Sequence, residues 1–252
     1  MKIRHKSYRL LLGAIAILAL ASAASANVTY VSYQMDTPSG PIGFSQTYGT
    51  GIYQITAFGW KTNNAPSITG TLNNATGSWN ITNALASHLY GKANQGPGEN
   101  GLGMNADPDG DHEEWNQPGA PYEWGFVQLD VSNIEKITNL LYFQVQIGSS
   151  QAHEWFTIWG SNDATPGFAT LLMEGKAGPS AQTPFFDIPN WNSYHYIWFG
   201  SIIEPGANVD HADTLLDSEL AFSQYPVPEP GTLAMFGTGI VGLAGVLRRK
   251  FL

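Results

Sequence analysis

The chain has 252 residues, a formal net charge of −9 and no cysteine. Without cysteine, a disulfide scaffold, a thiolate metal site and a cysteine nucleophile are excluded. Residues 27–226 contain four lysines, no arginine and 19 carboxylates, which gives this stretch a net charge of −15. Such a surface repels phosphate backbones and anionic headgroups, so we expect no nucleic acid partner and no peripheral binding of this stretch to membranes.

The first 26 residues have the pattern of a signal peptide. Residues 1–9 are basic, residues 10–20 form an apolar run, and Ala24 and Ala26 supply the small residues of a cleavage site. The apolar run would rise about 16 Å as a helix, which is too short for a bilayer core of about 30 Å. We therefore predict that residues 1–26 direct export and that signal peptidase cleaves before Asn27.

The last 26 residues combine a proline-rich start, an apolar middle and a basic end. Residues 226–231 contain three prolines, which favour an extended spacer. Residues 232–247 carry no charge and would form about 24 Å of helix, which predicts a transmembrane segment in a locally thinned bilayer. The basic cluster Arg248, Arg249 and Lys250 would remain cytoplasmic, so residues 27–231 would lie outside.

This tail resembles the PEP-CTERM sorting signal of Gram-negative bacteria, with Pro228, Glu229 and Pro230 as its triplet. The resemblance implies that a membrane-embedded exosortase cleaves near the triplet. An inner-membrane anchored precursor would then become an extracellular or cell-surface protein within a polysaccharide matrix, or biofilm. The alternative is an ordinary single-span anchor that is never processed, in which case the tail would persist in the mature protein.

Residues 227–252 are thus the predicted sorting signal, and residues 27–226 are predicted to form one all-β domain. Short β-branched and aromatic runs alternate there with Gly, Asn and Pro clusters, and helical periodicity is nearly absent. This pattern predicts a single β-sandwich or jelly roll. The predicted strands are residues 28–33, 52–58, 124–131, 140–147, 154–159 and 194–199, with weaker signals at 67–72, 79–82, 170–173 and 219–222. Residues 84–90 fit either a short helix or a strand.

Alternation along two of these strands predicts which residues form the core. Successive side chains of a strand point to opposite faces, so every second residue shares a face. The residues predicted to face the core are Val127, Leu129 and Val131 in one strand, and Leu141, Phe143, Val145 and Ile147 in the next.

Two later strands carry aromatic residues on the face opposite their predicted core residues: Trp155, Trp159, Tyr194, Tyr196 and Trp198. Either long loops cover both faces of these strands, or the aromatics form an exposed strip on which sugar rings could stack, as in sugar-binding sandwiches. Exposed aromatic clusters of this size are uncommon in monomers, which favours burial. Residues 154–163 also resemble a strand-and-turn passage of discoidin-like, galactose-binding sandwiches.

An acidic loop is the one candidate metal site in the sequence. Residues 107–114 contain five carboxylates, and alternate acidic residues can converge on a hard cation in a tight turn. The pattern departs from an EF-hand, because His112 and Pro118 stand where glycine and a bidentate glutamate are required. The segment is therefore either an irregular calcium loop, with Asp107, Asp109, Asp111 and Glu113 as ligands, or a solvated acidic turn.

These patterns favour a structural or adhesive matrix protein without catalytic activity. Residues 96–101 fit a dinucleotide-binding glycine pattern but follow no apolar strand and open no helix, and no nucleophile elbow or second zinc-protease histidine occurs. A carbohydrate-binding module of the exopolysaccharide matrix is the alternative function. A jelly-roll glycoside hydrolase is a further alternative, which needs two carboxylates facing each other across a cleft.

Overall fold

The computed structural model of the chain describes residues 30–93, 100–104, 114–117, 123–137, 140–148, 153–176, 183–204, 207 and 212–224. These residues form 17 β-strands, two short 3-10 helices and no α-helix, which confirms the predicted all-β class. The first nine strands are β1 (Tyr30–Gln34), β2 (Gly40–Gly43), β3 (Ser45–Tyr48), β4 (Ile55–Thr62), β5 (Ser67–Thr69), β6 (Thr76–Asn80), β7 (Leu85–Ser87), β8 (Leu89–Lys92) and β9 (Gly101–Met104). The remaining strands are β10 (Glu114–Gln117), β11 (Glu123–Asp130), β12 (Tyr142–Gly148), β13 (Glu154–Ser161), β14 (Phe168–Gly175), β15 (Phe186–Asp187), β16 (Tyr196–Ile203) and β17 (Ala212–Ser223). The 3-10 helices are Gly51–Tyr53 and Trp191–Ser193.

The strands form two curled antiparallel sheets, an arrangement that is consistent with the predicted β-sandwich. In the first sheet, β15 pairs with β12, and β12 pairs with one edge of β17. The other edge of β17 pairs with β1 and β9, and the sheet continues from β9 to β8 and then to β2. The second sheet follows the order β5, β6, β14, β13, β16, β11 and β4, with β3 and β7 along the other edge of β4. Strand β10 pairs with both β11 and β17, so it joins the two sheets.

The first sheet is built on β17, which at 12 residues is the longest strand in the described ranges. One edge of β17 pairs with β12, and the other edge pairs with β1 and β9. Both Tyr30 of β1 and Tyr142 of β12 lie opposite Ser223, near the end of β17. The last strand of the domain is therefore enclosed by neighbours on both edges.

The main core lies between the two sheets and largely follows the predicted alternation. Val127, Leu129 and Val131 are fully buried in it, together with Phe143, Val145 and Ile147 of β12. Leu141 is a correction, because its side chain is exposed rather than buried. It precedes β12, and only its backbone is engaged: its N–H donates to Ser223 O, and its carbonyl accepts from Trp191 Nε1.

A second core covers the other face of the second sheet. This outer core consists of Trp79, Ile81, Phe126, Trp159, Ala169 and Trp198. Strand β6 lies four strands from β11, which is about 19 Å in a flat sheet. The rings of Trp79 in β6 and Phe126 in β11 nevertheless have centroids 5.0 Å apart. The second sheet therefore curls over its own outer face and buries the aromatic side chains there.

Other differences from the predicted strands have local causes. Residues 52–58 do not form one strand, because Gly51–Tyr53 forms a 3-10 helix that starts at a glycine with φ of +62° and β4 begins only at Ile55. Residues 84–90 fall in β7 and β8, so the strand alternative is correct there. Strands β2, β3, β9, β10 and β15 were not predicted, because each has at most four residues and none shows clear alternation of apolar residues.

The outer core generates a prediction about stability. Replacing a buried aromatic residue with alanine leaves a cavity and costs about 3–5 kcal/mol. Trp79 contacts Phe126, Trp159 and Trp198, so we expect Trp79→Ala to lower Tm by about 6–20 °C for a domain of this size. Phe168→Ala is the control, because Phe168 is exposed and its loss is expected to change stability by no more than about 0.5 kcal/mol. Equal Tm values for the two variants in a thermal melt would contradict a tightly packed outer core.

Candidate functional site

The aromatic residues proposed as a sugar platform are largely buried. Trp155, Trp159 and Trp198 are 2%, 0% and 0% exposed, and Tyr194 and Tyr196 are half-buried. Stacking of a sugar ring needs one open aromatic face, which these three tryptophans do not offer. The structure therefore corrects the exposed platform and agrees with burial of these aromatics. The cover over Trp159 and Trp198 is, however, the curled second sheet and not the long loops that were expected.

The outer core is held closed by ring contacts. The Phe126 and Trp198 rings stack with centroids 5.0 Å apart. The centroid of the Trp79 ring lies 5.5 Å from that of Trp159 and 6.1 Å from that of Trp198. Aromatic pairs at such separations contribute about 0.5–1.5 kcal/mol beyond the burial of their surface. These contacts link β6, β11, β13 and β16, so they stabilise the curl of the second sheet.

Hydrogen bonds hold β6, which covers the outer face of the second sheet, to the loop between β4 and β5. Trp79 Nε1 donates to Asn64 O at 2.6 Å, and the N–H of Thr82 donates to Asn64 Oδ1 at 3.2 Å. Trp60 Nε1 donates to Gln128 Oε1 at 2.7 Å. Gln128 alternates with the core residues of its strand and so lies on the other face, yet it is fully buried because the curled sheet covers that face. Its amide therefore acts as an internal hydrogen-bonding group.

Among the residues that the structure describes, three buried indole nitrogens have no hydrogen-bond acceptor: those of Trp155, Trp159 and Trp198. A buried donor without an acceptor costs about 1–3 kcal/mol.

The two tyrosines of the predicted platform lie at the beginning of β16 and just before it, beside charged residues. Burial raises the pKa of Tyr196, and the carboxylates of Asp130 and Glu135 raise it further. The ring of Tyr194 lies against Gly160, where an added Cβ would come within 2.5 Å of it. Close packing therefore holds Tyr194 in place, and Gly160 is required for that contact.

The described residues include two histidine–carboxylate pairs that were not identified from the sequence. His153 Nδ1 lies 2.8 Å from Glu204 Oε2, and His195 Nδ1 lies 2.6 Å from Glu135 Oε1. Each pair joins residues more than 50 positions apart in the chain, so no local motif could have signalled it. Within the described ranges, no group of three or more His, Cys, Asp or Glu residues is placed to hold a metal ion.

The predicted calcium ligands Asp107, Asp109, Asp111 and Glu113 lie outside the described residues. The strands on either side of them are described. Leu102 of β9 lies opposite Leu216, and Glu114 of β10 lies opposite Thr214, so β17 holds both flanking strands within a few residues of each other. The two ends of the acidic segment are therefore anchored on one strand.

The sorting residues Pro228, Glu229, Pro230, Arg248, Arg249 and Lys250 lie outside the described ranges, as do the signal peptide and the segment 232–247. Among the residues that are described, no helix is long and apolar enough to cross a membrane. The last described strand ends at Ser223, which places the folded region directly before the predicted tail.

Comparison with known proteins identifies the tail. Residues 226–250 match the model of the PEP-CTERM protein-sorting motif, which implies processing by an exosortase. No curated protein and no solved structure shows significant similarity to the chain. The similarity of residues 154–163 to discoidin-like sandwiches therefore stays an expectation. The motif match agrees with the Pro-Glu-Pro triplet, the apolar run and the terminal basic cluster. The chain therefore carries a PEP-CTERM sorting signal after a β-sandwich, and this signal implies a secreted, exosortase-processed protein.

Proposed function

We propose that the protein is a structural or adhesive component of an extracellular matrix and has no catalytic activity. In this proposal, signal peptidase removes residues 1–26, the segment 232–247 anchors the precursor in the inner membrane, and exosortase then releases it. The observation that carries the proposal is the PEP-CTERM motif at residues 226–250 directly after a β-sandwich.

The packing of the sandwich supports a structural role. Four of its tryptophans, Trp79, Trp159, Trp191 and Trp198, fill the two cores. The indole N–H groups of Trp60, Trp79 and Trp191 donate to acceptors within the protein. The His153–Glu204 pair lies beside a backbone hydrogen bond from Glu204 N to His153 O, so it reinforces a connection between strands. Both features contribute to a rigid, stable domain suited to a matrix.

A glycan array with the mature protein tests the matrix proposal against its alternative. The proposal expects no glycan to bind with micromolar affinity or better, because the predicted platform tryptophans are buried. Saturable binding to one class of extracellular polysaccharide would replace it with the carbohydrate-binding alternative, and turnover of a polysaccharide would replace both with a hydrolase.

Processing generates a prediction about the triplet. We expect Glu229→Gln to block release, because exosortase would no longer meet the Pro-Glu-Pro sequence within the matched motif. The uncleaved protein should then remain in the membrane fraction and retain Arg248–Lys250, as intact mass and peptide mass measurements would show. The native extracellular form should begin at Asn27 and lack those residues.

Asp36→Asn is the matched control, because it also removes one carboxylate but lies far outside residues 226–250. It should be released as the native protein is. Recovery of native extracellular protein that still carries Arg248–Lys250 would instead show an anchor that is never processed.

The acidic loop generates a prediction about calcium. If Asp107, Asp109, Asp111 and Glu113 bind Ca²⁺, binding stabilises the folded state by about 2.7 kcal/mol when calcium exceeds Kd a hundredfold. For a domain of this size, that corresponds to a rise in Tm of about 5–10 °C. Millimolar calcium should suffice for an irregular loop of this kind.

The double variant Asp109→Asn, Asp111→Asn should lose this rise in Tm while its circular dichroism remains β-rich. A second variant, Asp163→Asn, tests specificity, because Asp163 lies in a different loop and should leave the calcium effect unchanged. Identical Tm values for the native protein in calcium and in EDTA would show that the loop is a solvated turn.

A further inference from the structure

Both ends of the described chain leave the sandwich at the same place. Tyr30, the first residue of β1, lies opposite Ser223, the last residue of β17. On the other edge of β17, Tyr142 lies opposite Ser223 as well, and Leu141 N donates to Ser223 O. The first sheet therefore ends in a row formed by Tyr30, Ser223 and Tyr142.

The second sheet ends at the same place. Thr56 lies opposite Asp130, Asp130 lies opposite Tyr196, and Tyr196 lies opposite Ser161, so these residues form the corresponding row. Trp191 lies in the 3-10 helix just before β16 and contacts the end of the first sheet: its Nε1 donates to Leu141 O at 3.2 Å, and its ring centroid lies 5.1 Å from that of Phe222. The row of the second sheet therefore lies at the same end of the sandwich. We call the end of the sandwich formed by these two rows the tail pole.

Exposed apolar side chains are concentrated at the tail pole. The described ranges leave seven large hydrophobic side chains exposed, and five of them lie at or beside the two rows. Tyr30 and Leu141 flank the row of the first sheet, Ile52 and Tyr53 precede β4, and Phe168 begins β14 next to Ser161, whose Oγ donates to Phe168 O. The exposure of these five side chains ranges from 36% to 62%.

The carboxylates at the tail pole are engaged with protein groups. Glu135 Oε1 lies 2.6 Å from His195 Nδ1, and Asp163 Oδ2 accepts a hydrogen bond from Phe168 N at 3.2 Å. Asp130 Oδ1 accepts from Ser132 N at 3.0 Å. Exposed Lys136 lies in the turn after Asp130. This end of an acidic domain therefore presents apolar side chains and one lysine beside carboxylates that already have partners.

The chain between the tail pole and the apolar run is short. Seven residues separate Gln224 from residue 232. A fully extended chain spans at most about 3.6 Å per residue, so this tether reaches no further than about 25–30 Å. If residues 232–247 lie in a bilayer, the tail pole is held within that distance of the hydrocarbon core.

We propose that the tail pole is a membrane-docking surface, on which Tyr30, Ile52, Tyr53, Leu141 and Phe168 contact the lipid interface while the precursor is anchored. This inference rests on the proposed membrane anchoring of the tail. A short tether gives an effective concentration in the millimolar range, so weak contacts become populated. Tyrosine is favoured at headgroup level, and buried leucine, isoleucine and phenylalanine side chains add apolar area.

The charge of the domain limits docking to the anchored state. The net charge of −15 on residues 27–226 is the reason to expect no peripheral membrane binding of the free domain, and only the tether overcomes this repulsion in the precursor. Cleavage near the triplet removes the tether, and the apolar contacts alone do not retain the domain. Docking is therefore expected in the precursor and not in the released protein.

The absence of cysteine allows this to be tested with single-cysteine variants of the full precursor. The variant Leu141→Cys carries an environment-sensitive fluorophore at the tail pole. The matched control Leu85→Cys carries it on another exposed leucine, in β7 opposite Lys61, about 20 Å along β4 from Ile55. Each precursor is reconstituted into vesicles of phosphatidylcholine and phosphatidylglycerol, an anionic lipid, that also contain nitroxide-labelled lipid.

We expect the nitroxide lipid to quench the label at position 141, and we expect the apolar environment to shift the emission of this label to the blue. Neither effect is expected at position 85. A third variant, Gly237→Cys, reports whether the tail is inserted. If the label at position 237 is quenched and the label at position 141 is not, the tail is inserted but the tail pole does not dock, and the docking proposal is wrong. If the label at position 237 is not quenched, the proposed anchoring itself is wrong.

Two further outcomes would also overturn docking to lipid. Equal quenching at positions 141 and 85 would show that the domain tumbles freely near the surface. Quenching at position 141 that appears only after exosortase is added to the vesicles would show that the surface recognises the enzyme. Labelled domain released by cleavage should show no quenching with the same vesicles.

Discussion

The pairing of β17 with strands from both sheets is the constraint on which the rest of the structure depends. Its edges are occupied by β12 on one side and by β1 and β9 on the other, and its first residues pair with β10, which continues into the second sheet. Its last residue, Ser223, also stands three positions before the sorting motif begins. The strand that completes the fold is thus the strand that leads to the signal. The part of the chain that is accessible for processing therefore begins only after β17 ends.

The second constraint is the curl of the second sheet. Because β6 approaches β11, the outer face of the central strands becomes an aromatic core in which Trp79, Phe126 and Trp198 contact one another. The same curl buries Gln128, which is tolerated because its amide accepts a hydrogen bond from Trp60. A face rich in tryptophan thereby serves stability, and the exposed apolar residues lie instead at the end of the sandwich where the tail leaves.

Alternation in the sequence predicted the core residues of β11 and most of those of β12, because it reports which side chains share a face of a strand. Val127, Leu129 and Val131 follow that rule, whereas Leu141 does not, because it lies before the first paired residue of β12. Alternation carries no information about what covers the opposite face. Trp159 and Trp198 are buried by contacts with Trp79, more than 75 residues earlier in the chain, and no local pattern reports that curl. The sorting motif could be recognised from the sequence, because its residues lie in one continuous segment.

Hydrogen exchange of backbone amides in the intact precursor tests the central role of β17 most directly. Strands enclosed on both edges open only when the domain unfolds, so their amides exchange slowest. Peptides covering residues 215–223 should therefore be as protected as those of β13 and β16, and their protection should be the same before and after removal of the tail. Rapid exchange of residues 215–223 in a precursor whose β13 and β16 remain protected would contradict the role of β17 as the strand that holds the sandwich together.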